Sequence, residues 1–126
     1  MITFLKSYFS HRDDRGSILG ISNKFNIEEI NLIESKSGSI RGNHYHKKSF
    51  ELFFIIEGEI EVIVQKVADD GLVGKQEKFI VKENDIFFIK PYVVHTFNIV
   101  KDSKWLNALS LKHDSDNPDF FRVDTN

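Results

Sequence analysis

Short apolar or alternating segments recur every eight to twelve residues along this chain, with clusters of turn residues between them. Alternation with a period of two is typical of strands, and evenly spaced short strands are typical of an all-β sandwich or barrel. Helical periodicity is nearly absent, apart from a short helical turn expected around residues 118–121. The pattern predicts strands at residues 2–9, 17–22, 28–36, 39–47, 50–57, 59–67, 77–83, 85–90, 93–100 and 104–112.

Bulk properties exclude several classes of protein. The chain has 126 residues without a repeat, linker or low-complexity tract, so we expect one domain over residues 1–126. A net charge of −2 gives no basis for a nucleic-acid partner. No apolar run is long enough to span a bilayer, and the first residues lack the signal-peptide pattern. The absence of cysteine excludes disulfides and thiolate ligands. We therefore expect a cytoplasmic protein without membrane or nucleic-acid partners.

The strand predicted at 50–57 is apolar on both faces except for Glu51. A strand with two apolar faces is covered on both sides. In a small barrel the outer cover is another sheet or a second subunit, so we expect a homodimer. Glu51 then points into the barrel beside Phe53 and Ile55, where an unpaired carboxylate is unfavourable. The sequence therefore predicts cations or hydrogen-bond donors near Glu51.

Three histidines are placed to supply those partners. Side chains alternate along a strand, so His44 and His46 point the same way, and a turn at 47–49 returns the chain to Glu51. His95 is a single polar residue among apolar ones on its face of a later strand. We expect the three imidazoles and the carboxylate to converge inside the barrel. Such a cluster either binds a divalent metal or moves protons on a bound substrate.

The spacing of these residues resembles the two motifs of the cupins. The first motif, a glycine, His-x-His, a glutamate and a second glycine, is present as Gly38, His44, His46, Glu51 and Gly58. The second motif is matched more loosely: His95 is kept, while Lys90 and Tyr92 replace the usual Pro and Gly. The resemblance implies an all-β, cupin-type double-stranded β-helix, which is a jelly-roll barrel.

A narrower resemblance is to cupins that act on nucleotide sugars. The segment Asp13-Asp14-Arg15-Gly16 is similar to the Asp-x-Arg-Gly opening of the dTDP-sugar 3,5-epimerases and 3,4-ketoisomerases. Residues 41–44 match the Arg-Gly-x-His of both groups, and residues 41–47 resemble the ketoisomerases and the cupin domains of capsule biosynthesis. This resemblance implies an isomerase or epimerase of a nucleotide-linked sugar, such as a dTDP-4-keto-6-deoxyhexose, in surface-polysaccharide biosynthesis. The isomerase or epimerase that this resemblance implies requires no cofactor.

The same resemblance implies a role for each histidine. His44 matches the base of the epimerases, His46 would be the proton shuttle or acid, and His95 would support it. Histidine suits these roles because its ordinary pKa of about 6.5 lets it accept and donate protons near neutral pH.

Four further residues are candidates for contact with the substrate. Arg15, Arg41 and Lys47 would bind the diphosphate, and Tyr92 would lie at the barrel mouth. Strand alternation turns Arg41 away from the interior, so it reaches the mouth only if Gly42 forms a bulge.

Glu51 supports an alternative function. The ketoisomerases usually carry Gln at this position, whereas the capsule-type cupins keep Glu and bind zinc. His44, His46, Glu51 and His95 would then hold a divalent metal such as zinc, iron, nickel or manganese. A metal would occupy the nitrogens that a base needs, so the two mechanisms compete for the same atoms. A metal-binding cupin of another enzyme class and a non-catalytic sugar-binding cupin both remain open.

Overall fold

The computed structural model describes residues 1–24 and 26–123, and these residues form ten strands. The strands are β1 (Ile2–Leu5), β2 (Phe9–Asp13), β3 (Gly16–Gly20), β4 (Glu29–Ser35), β5 (Ile40–Tyr45), β6 (Glu51–Lys66), β7 (Glu77–Lys82), β8 (Ile86–Ile89), β9 (Val93–Leu109) and β10 (Phe121–Arg122). The predicted all-β class is confirmed. No helix that could cross a membrane is present in the described part of the chain.

Hydrogen bonds join eight strands in the order β1-β8-β6-β9-β5-β10, with β4 paired to β9 and β7 to β6. The remaining two strands, β2 and β3, form a separate hairpin. The predicted strand 2–9 is therefore wrong as a single element, because β1 pairs with β8 whereas β2 pairs with β3. Strands β3, β4, β5, β7 and β8 agree with their predicted bounds within two residues.

Strands β6 and β9 are continuous over 16 and 17 residues, although the sequence predicts two strands in each segment. Their pairing is irregular where Gly58 packs on Ser103. The register of their ladder shifts between Ile55 and Ile60, and a Cβ on Gly58 would lie 2.6 Å from Ser103 Cα. Gly58 has a φ of +111°, so a bulge absorbs the expected turn and the strand continues beyond it.

The barrel interior is filled by apolar side chains from several strands. The main buried cluster comprises Phe53, Ile55, Ile60, Val62, Val64, Val81, Phe87, Ile89, Val93, Phe97, Ile99 and Trp105. The ring centroid of His95 lies 5.5 Å from that of Phe97 and 6.2 Å from that of Phe53. The apolar core therefore packs directly against His95 and, through it, against the cluster of His44, His46 and Glu51.

The outer face of β6 is partly covered by the chain itself. Leu52 and Phe54 form a second buried cluster, against which Leu5 and Ile21 pack. The two-sided apolar pattern that led us to expect a homodimer is therefore partly satisfied within one chain. The covering segments come from the N-terminal quarter of the sequence.

The C-terminal segment is extended rather than helical. β10 pairs with β5, and places Phe121 opposite Tyr45 and Arg122 opposite His44. The helical turn expected around residues 118–121 is therefore wrong, because the backbone there runs to and along the edge of β5. This pairing brings the tail over the histidine cluster.

Candidate functional site

Three histidines and one glutamate from neighbouring strands converge at one end of the barrel interior. His44 lies in β5, His46 directly follows it, Glu51 begins β6, and His95 lies near the start of β9. One ligand-type atom from each lies within 4.8 Å of the others. Glu51 and His95 are only 4% and 1% exposed, whereas His44 is half-buried. The structure brings these four residues together, and their roles stay predictions.

A bulge in β5 sets the positions of Arg41 and His44. The register between β5 and β9 shifts between Gly42 and His44, and φ is +86° at Gly42 and +61° at Asn43. A Cβ on Gly42 would lie 2.6 Å from the carbonyl oxygen of His95. Glycine is therefore required here by both conformation and close approach. Because the bulge breaks the alternation, Arg41 and His44 both line the same cavity.

His46 and His95 both carry a proton on Nδ1. His46 Nδ1 donates to the carbonyl oxygen of Asp119 at 2.5 Å, and His95 Nδ1 donates to that of Val93 at 3.0 Å. A carbonyl oxygen only accepts, so each Nδ1 must be the donor. The Nε2 of both rings then faces Glu51 Oε1, at 3.1 Å for His95 and in a shorter contact for His46.

Apart from these contacts with one another, the three facing atoms are buried without a hydrogen-bond partner among the described residues. The second carboxylate oxygen, Glu51 Oε2, accepts a hydrogen bond from Asn107 Nδ2 at 2.5 Å. Unsatisfied buried polar atoms are rare in folded proteins, and two imidazole nitrogens with a carboxylate oxygen are a common ligand set for divalent transition metals. The chemistry of this donor set therefore fits a metal ion held by His46, Glu51 and His95.

Neighbouring histidines have opposite electrostatic environments. Burial, followed by repulsion from His95, lowers the pKa of His44 to about 4. Burial also disfavours the charged form of His46, but its hydrogen bond and ion pair with Glu51 raise the pKa of His46 overall. Burial acts to raise the pKa of Glu51, while the charges and hydrogen bonds of His95 and His46 lower it overall. At neutral pH, a neutral His44 therefore lies beside an ionised Glu51.

A chain of hydrogen bonds connects Glu51 to the rim of the cavity. Asn107 is 7% exposed, donates to Glu51, and accepts from Asn31 Nδ2 at 3.1 Å. The same Asn31 Nδ2 lies 3.1 Å from Glu29 Oε2, and Glu29 Oε1 accepts from the backbone N–H of His113 at 2.9 Å. This chain holds Oε2 of Glu51 away from the imidazoles, so that Oε1 faces them.

An open cavity of about 720 Å³ lies above the cluster, within the range typical of small-molecule sites. Arg41 and Lys47 line it. The Arg41 guanidinium donates to Ser35 Oγ at 2.7 Å and to the Glu34 carbonyl oxygen at 3.1 Å. The Lys47 ammonium lies 4.1 Å from the ring centroid of Phe121. These cations make one side of the cavity suitable for an anionic ligand.

Two predicted substrate contacts, Arg15 and Tyr92, lie outside this cavity. Arg15 is exposed on the β2–β3 turn and donates to Asp13 at 2.7 Å. Tyr92 has a φ of +61°, and its ring lies 6.1 Å from that of Tyr45. Neither residue lines the cavity formed by its own chain, so the substrate contacts assigned to them stay predictions without support from their positions.

Two further residues of the site, Asn107 and Asp119, were not predicted from the sequence. Asn107 occupies the same phase of its strand as Trp105, and a lone polar residue on a buried face was the signal that singled out His95. Asp119 lies in the tail segment Asn-Pro-Asp-Phe-Phe, which resembles capsule-type cupins but was expected to be helical. No local pattern indicates that its carbonyl oxygen contacts His46, because 73 residues separate the two.

A family model described as the polysaccharide biosynthesis C-terminal domain matches residues 11–119. No curated protein matches this chain in sequence.

Several solved structures have a similar fold. A 3,4-ketoisomerase from Helicobacter canadensis is 22% identical, with a TM-score of 0.78 over 96% of this chain and 90% of that one. The dTDP-4-dehydrorhamnose 3,5-epimerase from Sulfolobus tokodaii is 21% identical, with a TM-score of 0.74 over 91% and 78%. A mutant 3,4-ketoisomerase from Thermoanaerobacterium thermosaccharolyticum, in complex with TDP-4-keto-6-deoxyglucose, is 19% identical, with a TM-score of 0.77 over 96% and 86%. These likenesses confirm the predicted cupin-type jelly roll.

Proposed function

The chain belongs to the polysaccharide biosynthesis C-terminal domain family, and from this premise we propose that it is an isomerase or epimerase of a nucleotide-linked keto-deoxysugar. One observation carries the proposal: three imidazoles and a carboxylate converge at the floor of an open cavity with Arg41 and Lys47 on its wall. Proton-transferring groups at the base of an anion-binding cavity suit a sugar joined to a diphosphate. The substrate class that we propose is a dTDP-4-keto-6-deoxyhexose.

The proposed reaction transfers a proton without a redox partner. The neutral imidazole of His44 accepts the proton on carbon 3, and the electrons of the broken C–H bond form an enediolate with the carbonyl at carbon 4. Return of the proton to carbon 4, with transfer of a hydroxyl proton between the two oxygens, gives the 3-keto isomer. Return to carbon 3 from the opposite face gives the epimer. Both outcomes conserve atoms and electrons.

The neighbouring residues would stabilise the enediolate. A base with a pKa of about 4 holds a proton weakly, so abstraction from carbon requires strong stabilisation of the negative charge that develops. The rings of His46 and His95 lie 5.3 and 4.6 Å from that of His44. In this proposal His46 is the acid or shuttle, His95 supports it, and Arg41 and Lys47 contact phosphate oxygens.

A metal-binding cupin of another enzyme class is the second candidate. The buried Nε2 atoms of His46 and His95, which both face Glu51 Oε1, favour it. A metal held by these residues, with or without His44, would polarise a carbonyl or an enediolate of the substrate. If the metal also takes His44, that residue is no longer a free base. A metal held by the other three leaves His44 available for proton transfer.

A second copy of the chain is the macromolecular partner that we propose. An apolar groove, here called the outer groove, is lined by Phe9, Ile18, Ile30, Leu52 and Phe54. Ile18 and Ile30 are 60% and 63% exposed, and groups of exposed apolar residues mark interaction sites. We also propose a cytoplasmic location, since a chain without cysteine needs no oxidising compartment.

The proposed activity is tested by incubating the protein with TDP-4-keto-6-deoxyglucose in deuterated water. We expect loss of the NMR signal of the carbon 3 proton and formation of an isomer or epimer. Metal content of protein purified without chelator, and affinity for deoxythymidine diphosphate, are measured in parallel. Stoichiometric iron without nucleotide binding would overturn the proposal in favour of the second candidate. Binding of the nucleotide sugar without any proton exchange would indicate a non-catalytic sugar-binding protein.

A further inference from the structure

The C-terminal segment of the chain lines the cavity. We call residues 114–123 the C-terminal strap. Its strand β10 pairs with β5, so that Arg122 lies opposite His44, and the ring centroid of Phe120 lies 4.5 Å from that of His44. The backbone carbonyl of Asp119, the residue before Phe120, contacts the His46 side chain. The strap is therefore part of the wall that surrounds the histidine cluster.

The Asp119 carboxylate is held by three successive backbone N–H groups. Lys47 donates to Oδ1 at 2.7 Å, while Lys48 and Ser49 donate to Oδ2 at 3.0 and 2.8 Å. Successive N–H groups that converge in a turn form an anion-binding concavity. Ser49 is only 3% exposed, so its bond to the carboxylate is the most protected from water of the three. These bonds fix the position of the Asp119 backbone as well as its side chain.

The backbone carbonyl of Asp119 in turn fixes His46. It accepts the hydrogen bond from His46 Nδ1, which leaves Nε2 facing Glu51. His95 Nδ1 donates the equivalent bond to the carbonyl oxygen of Val93, two residues away in its own strand. The orientation of His95 is thus local, whereas that of His46 depends on the docked strap.

We propose that Asp119 is a positioning residue that, by anchoring the strap, selects the Nδ1–H form of His46 and presents its Nε2 to the site. The inference rests on the proposed function, in which the Nε2 of His46 transfers a proton or binds a metal. Without the anchor, the ring is free to rotate and to carry its proton on Nε2. A neutral ring with its proton on Nε2 would have no lone pair there to bind a metal or to receive a proton that His46 relays.

The test compares Asp119→Ala, Asp119→Asn and the control Asp116→Ala, whose side chain is exposed in the same strap. Long-range ¹H–¹⁵N NMR correlations of the His46 ring, in metal-free protein at alkaline pH, report which nitrogen is protonated. We expect Nδ1–H in the wild type and in Asp116→Ala. Asp119→Ala should show a mixture with Nε2–H. Its affinity for Zn²⁺ and its kcat/KM for the keto sugar should both fall about 10–100-fold.

Asp119→Asn keeps one oxygen acceptor for the turn, so its values should lie between those of the wild type and Asp119→Ala. If Asp119→Ala fails to fold, the comparison of Asp119→Asn with the wild type decides the test. Unchanged protonation of His46 in a folded Asp119 variant, with unchanged Zn²⁺ affinity and kcat/KM, would overturn the inference. A wild type that exchanges no sugar proton, with a His46 tautomer that still depends on Asp119, would overturn the proposed function and leave the positioning role intact.

Discussion

The three histidines of this site occupy two different environments. His46 and His95 are fixed at both nitrogens, by a backbone carbonyl on Nδ1 and by Glu51 on Nε2. His44 instead packs between the rings of His95 and Phe120, at 4.6 and 4.5 Å, and lines the cavity. Its position favours direct contact with a substrate. The assignment of the base to His44 therefore depends on its surroundings and not on the residue type.

The variant His44→Asn tests this assignment. Asparagine keeps a polar side chain but has no basic nitrogen, so proton exchange at carbon 3 should fall by about 100-fold or more. Affinity for deoxythymidine diphosphate, measured by calorimetry, should stay within a few-fold of the wild type. His11→Asn, on the distant β2–β3 hairpin, should change neither value. A large loss of nucleotide binding in His44→Asn would instead indicate a role in binding the ligand.

At the scale of secondary-structure elements, the bulge in β5 decides which residues reach the site. Regular alternation would send Arg41 to the outer face, but the register shift after Gly42 turns it to the cavity. The same bulge brings the backbone of Gly42 against the carbonyl of His95. One irregular residue therefore positions a cation and a histidine together.

Gly42→Ala should damage both stability and activity. A methyl group at this position meets the His95 carbonyl oxygen at 2.6 Å, so β5 must move away from β9. Gly71→Ala is the matched control, because Gly71 has the same φ of +86° but has open space, with no atom within 4 Å, where the methyl group would lie.

Urea unfolding should show a loss of about 1–2 kcal/mol for Gly71→Ala, from the left-handed conformation alone. Gly42→Ala should lose about 1–3 kcal/mol more, because of overpacking, and proton exchange should fall only in this variant. Equal losses in the two variants would show that the close approach to His95 is unimportant.

At the scale of the whole molecule, Glu51 should make the fold sensitive to acid. Its pKa is lowered in the folded state, so the unfolded chain binds more protons as the pH falls. The stability contributed by Glu51 is therefore present above its ordinary pKa of about 4.5 and is lost below it. Between pH 5 and pH 3, His46 is protonated in both states, so its raised pKa does not contribute to the slope.

Urea unfolding in chelator at pH 5 and pH 3 measures this dependence. The wild type should lose at least about 1 kcal/mol more over this interval than Glu51→Gln. Glu34→Gln is the control, since Glu34 is exposed in an ion pair with Lys104, and surface pairs contribute little. Identical pH slopes for the wild type and Glu51→Gln would contradict the prediction.

The outer groove predicts a dimer in solution. Ile30→Glu places a charge on the exposed apolar face of β4 and should convert the dimer to a monomer in sedimentation velocity. Ile80→Glu is the control, because Ile80 is also exposed, at 50%, but lies on β7 outside the outer groove. A monomeric wild type at micromolar concentration, or dissociation by both variants alike, would contradict this interface.

Local sequence patterns predicted most of the strands, because apolar residues alternate with the period of a strand. The same alternation placed His44, His46, Glu51 and His95 on inward-facing positions, which predicted their convergence. The bulges and turns that interrupt the strands were less predictable. Gly58 was expected to end a strand, since a glycine beside charged residues has the same local pattern in a turn and in a bulge. Only its packing on Ser103 made β6 continuous.

The sequence by itself determined the all-β class, the buried faces and the identity of the clustered side chains, because alternation and motif spacing are local properties. Tertiary structure alone decided which nitrogen of His46 carries the proton, which oxygen of Glu51 faces the imidazoles, and that Arg15 lies away from the cavity. These features depend on contacts between distant segments, such as those of Asp119 with His46 and of Asn107 with Glu51. Only the folded chain brings such segments within hydrogen-bonding distance.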